Sequence, residues 1–283
     1  MRAEAGPGWP ATADCRVALV RPSPKAASPE IQRELEHLSG RLGVPLLETG
    51  AAPQRETRCD VYLSIDEIGP FLQLTGSRAP GPVRCGFHDP AMAHRRRGGQ
   101  NELLGRAVGV HKRPDCRVVD ATAGFAADGF VLADLGARVL LCEQHPLLAA
   151  MLDLSVHRLQ SAPSDWRQVV ACRLSVRAGD TRTLPATALG SGDVLYLDPM
   201  FPAGRRSAAG KGMALLQRLL AASPADAGEA LLRWALGQPV WRVVVKRPLK
   251  APQLCGLPPS HALAGRSVRF DVYQLDGVSA NES

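Results

Sequence analysis

The apolar positions of the chain fall into two patterns. Cys15 to Val20 is a nearly continuous apolar run of the kind that fills a buried strand. Ser28-Pro29-Glu30 then supplies an N-cap with proline at the first helical position, which predicts a helix to about Arg41 that Gly43 stops. Asp60 to Ile65 and Pro70 to Leu74 are short strand patterns separated by acidic residues and glycine, which predicts a hairpin. The proline- and glycine-rich stretch Arg78 to Pro82 marks a boundary. From Arg117 the pattern changes: Val118-Val119-Asp120, Arg138 to Cys142, Arg173 to Val176, Val194 to Leu197 and Trp241 to Val245 are apolar, β-branched runs. Helical spacing fills Pro146 to about Gln160 and Ser207 to Leu220, Ser223-Pro224 opens a further helix towards Leu236, and Val268 to Leu275 reads as a last strand. Uniformly apolar strands alternating with helices predict an α/β fold with a doubly wound, mostly parallel sheet over residues 86–283, preceded by a small α+β domain over 1–85.

Composition narrows the function classes. With 45% hydrophobic and 22% charged residues in 283, the chain has material for a real core and is not of the disordered class. No apolar run approaches the roughly 20 residues of a membrane span, and the start of the chain lacks the apolar stretch of a secretory signal. Its seven cysteines are scattered, none at the close spacing of zinc, iron–sulfur or thioredoxin motifs, so no metal site is expected and a reducing, cytoplasmic location is. A net charge of +7 favours a polyanionic partner, though position matters more than the sum.

Candidate chemistry gathers at the carboxyl ends of the predicted strands, where open α/β folds bind ligands. Asp120-Ala121-Thr122-Ala123-Gly124 is a strand running into a small-residue loop before the helix that carries Asp128; taken alone it is also compatible with an ordinary strand-to-helix turn. Glu143 ends the next strand, where a carboxylate can accept hydrogen bonds from both hydroxyls of a ribose. A nicotinamide dinucleotide would need a glycine-rich approach to its pyrophosphate, and only Gly124 precedes the helix. A nucleoside cofactor without phosphates, such as S-adenosylmethionine, needs no such cradle.

The most informative segment is Tyr196-Leu197-Asp198-Pro199-Met200-Phe201-Pro202. A buried strand here delivers a carboxylate, two prolines of fixed φ and an aromatic ring to the same sheet edge. It resembles the Asp/Asn-Pro-Pro-aromatic motif of amino-methyltransferases. In that chemistry Asp198 and the Pro199 carbonyl accept the N–H bonds of an exocyclic base amine while Phe201 stacks on the extruded base, a contact worth about 1–3 kcal/mol. Basic clusters stand in three places: His94-Arg95-Arg96-Arg97 before the catalytic domain, Arg205, Arg206 and Lys211 after the motif, and Lys246-Arg247 at the end of a late strand. They suit phosphate oxygens. The first is equally compatible with a solvated charge run, and Lys246 with a structural ion pair.

These segments, with Ala91 to Arg96, Val119 to Gly124, Val243 to Pro248 and Arg269 to Tyr273, resemble the ribosomal RNA small subunit methyltransferase J family over roughly Phe87 to Tyr273. The resemblance implies a Rossmann-like class I methyltransferase that uses S-adenosylmethionine to methylate the N2 amine of a guanosine near the 3′ end of 16S rRNA, as free RNA or within the small ribosomal subunit. It also implies cofactor contacts at Ala127, Asp128, Glu143, Gln144, Gly179, Asp180 and Asp198, to which the loop reading adds Asp120 and Gly124. The family usually has glycine and arginine where this chain has Ala126 and Ala127. Two alternatives stay open at this point: an adenine-N6 methyltransferase on RNA or DNA, which uses the same amine chemistry, and a non-catalytic RNA-binding protein of this fold.

Overall fold

A computed structural model describes residues 15–23, 27–50, 52–88, 92, 102–113, 116–162, 165–199, 211–220 and 226–275. The first unit is a four-stranded sheet in the order β2-β1-β3-β4. Its strands are β1 (Val17–Val20), β2 (Leu46–Leu47), β3 (Val61–Ile65) and β4 (Pro70–Leu74), the last two forming the antiparallel hairpin that the sequence predicts. Helix α1 (Pro29–Leu42) joins β1 to β2. Ser28 Oγ accepts the Ile31 N–H at its start, and Gly43 closes it at φ 65°.

The second unit is a seven-stranded sheet. Helix α2 (Glu102–Val108) precedes it, and its strands are β5 (Arg117–Asp120), β6 (Arg138–Glu143), β7 (Leu174–Ala178), β8 (Val194–Leu197), β9 (Arg242–Pro248), β10 (His261–Ala264) and β11 (Val268–Gln274). Their spatial order is β10-β11-β9-β8-β5-β6-β7; β7, β6, β5, β8 and β9 are parallel, and β11 runs antiparallel between β9 and β10. Strand order reverses at β5, which lies between β6 and β8. That is the position where open α/β sheets leave a crevice at their carboxyl edge. The connecting helices are α3 (Ala127–Asp134), α4 (Pro146–Ser161), α5 (Trp166–Ala171), α6 (Lys211–Leu219) and α7 (Ala227–Leu236). For α6 and α7 the expected starts, Ser207 and Ser223-Pro224, lie outside the described residues.

Helix α4 explains how the two units become one body. Leu147 to Leu152 are all buried in succession, so the first half of the helix is apolar all round instead of along one stripe, the mark of a segment covered on more than one side. One side packs on β6 and β7, the other meets β4 and α1. An ion pair from Arg158 to Glu34 ties α4 to α1, and one from Arg218 to Asp60, at 3.3 Å, ties α6 to the small sheet. One apolar cluster accordingly runs from Leu19 and Leu63 through Phe87 to Phe130 and Leu147.

Helix α3 must lie close to the sheet if its first turn is to reach the carboxyl edge, and Gly129 permits this. A Cβ there would stand 2.4 Å from Leu141 Cδ2 and 3.2 Å from Asp120 Oδ2. Gly129→Ala is therefore expected to cost about 1–3 kcal/mol of overpacking. Urea denaturation measures this, and an unchanged midpoint would contradict the close packing.

Candidate active site

The carboxyl edge is built by backbone ties between neighbouring strand ends. Ala121 N–H donates to the Tyr196 carbonyl at 2.9 Å, Ala123 N–H to the Cys142 carbonyl at 3.0 Å, and Gly179 N–H to the Glu143 carbonyl at 2.9 Å. Asp120, 2% exposed, accepts the Thr122 N–H at 3.1 Å. The Thr122 hydroxyl in turn accepts the Asp198 N–H at 2.7 Å, and buried Thr181 donates to the Ala121 carbonyl at 2.9 Å. Glu143, 6% exposed, accepts the Gly124 N–H on one oxygen at 2.9 Å and the His145 N–H on the other at 2.7 Å. The loop between strand and helix is thus drawn against the tip of β6.

A charged network joins the remaining elements. Lys246 Nζ lies 2.7 Å from Asp128 Oδ2 and 2.9 Å from Asp198 Oδ2. The hydroxyl of Tyr196, a fully buried residue, donates to the same Asp128 oxygen at 2.6 Å. One ammonium therefore connects β9, the first turn of α3 and the end of β8. Burial alone would lower the Lys246 pKa, but Asp128 and Asp198 outweigh it and hold the ammonium well above its ordinary range. Burial raises Asp120 well above the usual carboxylate range, with Asp128, Asp198 and Glu143 adding repulsion. Burial also raises Glu143, against the pull of its backbone N–H partners. Among the described residues the edge thus sets Asp120, Asp128, Glu143 and Asp198 against the ammonium of Lys246, a group of acceptors suited to a cationic ligand.

The expected residues divide clearly. Asp120, Gly124, Asp128, Glu143, Asp198 and Pro199 come together at this edge, with exposed Gln144 beside Glu143. Gly179 and Asp180 follow β7, where the Asp180 carboxylate receives the Arg182 fork, Nη2 at 2.6 Å from Oδ2. Ala127 begins α3 directly after Ala126, which occupies the left-handed region at φ 56°. That conformation costs a side-chain-bearing residue about 1–2 kcal/mol, so glycine, which the family usually has there, would suit the geometry better. Lys211 is exposed at the start of α6, and Phe201, Arg205, Arg206 and His94 to Arg97 lie outside the described residues.

Two basic expectations need correction. Lys246 is committed to the carboxylates, which is the ion-pair alternative. Arg247, its neighbour on the opposite face of β9, is 4% exposed and donates to the Pro252 carbonyl at 2.7 Å, so its guanidinium is not offered to phosphates. Thr122, Thr181 and Tyr196 were absent from the sequence expectations. For Tyr196 the signal is a phenol at the inner end of an otherwise aliphatic strand, since a buried hydroxyl must find a partner.

Comparison with known proteins adds to this geometry. Residues 50–275 match the family model described as "Putative SAM-dependent methyltransferase". The ribosomal RNA small subunit methyltransferase J of Halorhodospira halophila is 42% identical over 267 residues, covering 93% of this chain and 94% of that protein. The protein of the same name from Pseudomonas aeruginosa is 38% identical over 252 residues, covering 88% and 93%. A crystal structure of a SAM-dependent methyltransferase from Neisseria gonorrhoeae superposes with a TM-score of 0.67 at 30% identity, covering 93% of this chain and 97% of that one.

The raised carboxylates give a pH signature. Asp120 and Glu143 hold protons more tightly in the folded ligand-free protein than when unfolded. Their favourable contribution is therefore present at low pH and is lost as pH rises through their folded pKa values. A cation bound beside them favours the ionised forms, so binding S-adenosylmethionine should release protons at pH values around their raised folded pKa values, above the ordinary carboxylate range, and weaken as pH falls through them. Calorimetry in buffers of different ionisation enthalpy, repeated from acid to neutral pH, reads the proton count; no release at any pH above the ordinary carboxylate range would contradict the electrostatics.

Proposed function

The chain belongs to the ribosomal RNA small subunit methyltransferase J family and is an S-adenosylmethionine-dependent rRNA methyltransferase, and we propose that it methylates the exocyclic N2 amine of a guanosine in 16S rRNA. The observation that carries this reading is the way Asp198 is held. Thr122 fixes its backbone N–H and Lys246 takes its Oδ2, while Oδ1 has no bond among the described residues and is left for an incoming donor. Burial raises the Asp198 pKa, Lys246 opposes that rise and orients the carboxylate, and in that orientation the carboxylate accepts one N–H of the base amine while the Pro199 carbonyl accepts the other. Pro199 is itself braced, because Gly228 at the start of α7 leaves no room beyond its ring: a Cβ on Gly228 would stand 3.1 Å from Pro199 Cβ.

S-adenosylmethionine, when bound, supplies a methyl group on a positively charged sulfur that leaves readily. The residues that fit it are Glu143 and Gln144 for the ribose hydroxyls, Gly179 and Asp180 for the adenine, and Asp120, Gly124, Ala127 and Asp128 for the remainder, beside Asp198. The amine is a poor nucleophile because its lone pair is delocalised into the ring. Its two N–H acceptors orient that lone pair, and alignment of this kind can supply about 7–11 kcal/mol without a strong base. Phe201 would stack on the base. The small unit over residues 1–85, the arginine run at 95–97 with His94, and Arg205, Arg206 and Lys211 would dock the RNA around this edge. Such a substrate implies a cytoplasmic protein; among the described residues no helix is long and apolar enough to cross a membrane.

Asp198→Ala is expected to lower methyl transfer by at least about 100-fold while the protein stays folded. Nucleoside mass spectrometry of treated small-subunit rRNA should give N2-methylguanosine, and N6-methyladenosine would instead establish the adenine alternative. Arg95→Ala with Arg96→Ala should weaken RNA binding and flatten its salt dependence by roughly 0.7 in log–log slope per lost single-strand phosphate contact, with cofactor affinity unchanged. An unchanged slope would return that run to the solvated surface.

A further inference from the structure

The opposite edge of the same sheet carries a second charged feature. Arg117 opens β5 and pairs in register with Arg138, which opens β6. Arg173 stands one residue before β7, and its carbonyl accepts the Val139 N–H at 2.8 Å, which places it beside Arg138. Three arginines thus form a ladder across neighbouring strands about 4.8 Å apart. They line a groove of about 300 Å³ whose floor includes Val139, Leu140 and Leu174.

Only the first rung is neutralised. Arg117 lies 3.1 Å from Asp193 and donates to the Ala188 carbonyl at 2.7 Å. Arg138, exposed, and Arg173, half-buried, have no acidic partner among the described residues. Like charges side by side on adjacent strands repel, so the ladder is unfavourable by itself. The carboxyl ends of α3 and α5 precede Arg138 and Arg173 and favour a cation at each, but partial charges do not neutralise a guanidinium as Asp193 neutralises Arg117, which leaves two adjacent full charges without an acidic partner among the described residues. An anion bridging the guanidinium forks would remove the repulsion, and planar forks match phosphate oxygens in pairs.

We propose that this arginine ladder binds phosphate groups of the substrate RNA backbone, as a second anchor on the edge of the sheet opposite the methyl-transfer site. This rests on the rRNA reading above. The carboxyl edge must admit the target base but its carboxylates repel phosphates, so an anchor on the far edge helps to hold a large folded RNA while adding no phosphates beside those carboxylates.

The test combines a double variant with a footprint. Arg138→Gln with Arg173→Gln should raise the KM for small-subunit rRNA about tenfold, leave kcat at saturating RNA and the Kd for S-adenosylmethionine unchanged, and make the salt dependence of binding less steep. The double lysine variant keeps the charge without the fork, so it should restore the salt dependence and recover only part of the loss in KM. Because repulsion is relieved, the glutamine variant should melt no lower than the parent; a markedly lower Tm would make the arginines structural and overturn the proposal. Cys172 is exposed beside the groove, whereas Cys255 is half-buried and the other five thiols are buried. RNA should therefore protect Cys172 from alkylation, read peptide by peptide, and that protection should vanish in the double variant. Methylation with KM and salt slope unchanged would overturn the proposal, as would protection by millimolar inorganic phosphate but not by RNA, which would assign the groove to a small anion. Failure of the rRNA reading is scored separately, as absence of methyl incorporation by the parent protein.

Discussion

The site depends on one ammonium held between two carboxylates. Lys246 reaches from β9 to Asp128 on α3 and to Asp198 beyond β8, and Tyr196 adds its hydroxyl to the same Asp128 oxygen. Without that charge, the buried Asp120 and Glu143 and the half-buried Asp128 and Asp198 would share the edge with no ammonium among them in the described residues. A half-buried ion pair is poor evidence of stability, because desolvation offsets much of the attraction. Its use here is positional: it sets which oxygen of Asp198 is occupied and which is free.

The network also shows why the rest of the fold is arranged as it is. Lys246 can meet Asp128 and Asp198 only because β9 lies beside β8, β8 beside β5, and α3 close against the sheet. Gly129 permits that approach, and the two-sided burial of α4 fixes the small sheet against the same layer. Charge is then sorted by edge, with carboxylates at the carboxyl ends of the strands and arginines at the far ends of β5, β6 and β7. A parallel sheet makes such sorting possible because its strands begin along one edge and end along the other.

Much of this architecture was legible in the sequence. The parallel strands are covered on both faces and so appear as continuous apolar runs, and the α1 cap and the β3–β4 hairpin follow from local chemistry. His261–Ala264 escaped notice because it is a mostly exposed edge strand, and Leu46–Leu47 because two residues make no pattern. The placement of Asp120, Glu143 and Asp198 along one sheet edge was legible because each ends or directly follows a recognisable strand. The pairing of Lys246 with Asp128 was not, since it joins residues 118 positions apart through a strand order that local pattern does not encode. Strand alternation did hold a usable signal: Val243, Val245 and Arg247 share one face and Val244 and Lys246 the other, so the two basic residues could not serve one surface together.

The claim that Lys246 positions the acceptor is tested most directly by turnover of Lys246→Met with both substrates saturating. The account predicts a fall in kcat of about 100-fold, the scale of a small misplacement of a reacting group, with the protein folded and RNA affinity retained. A kcat close to that of the parent would contradict it.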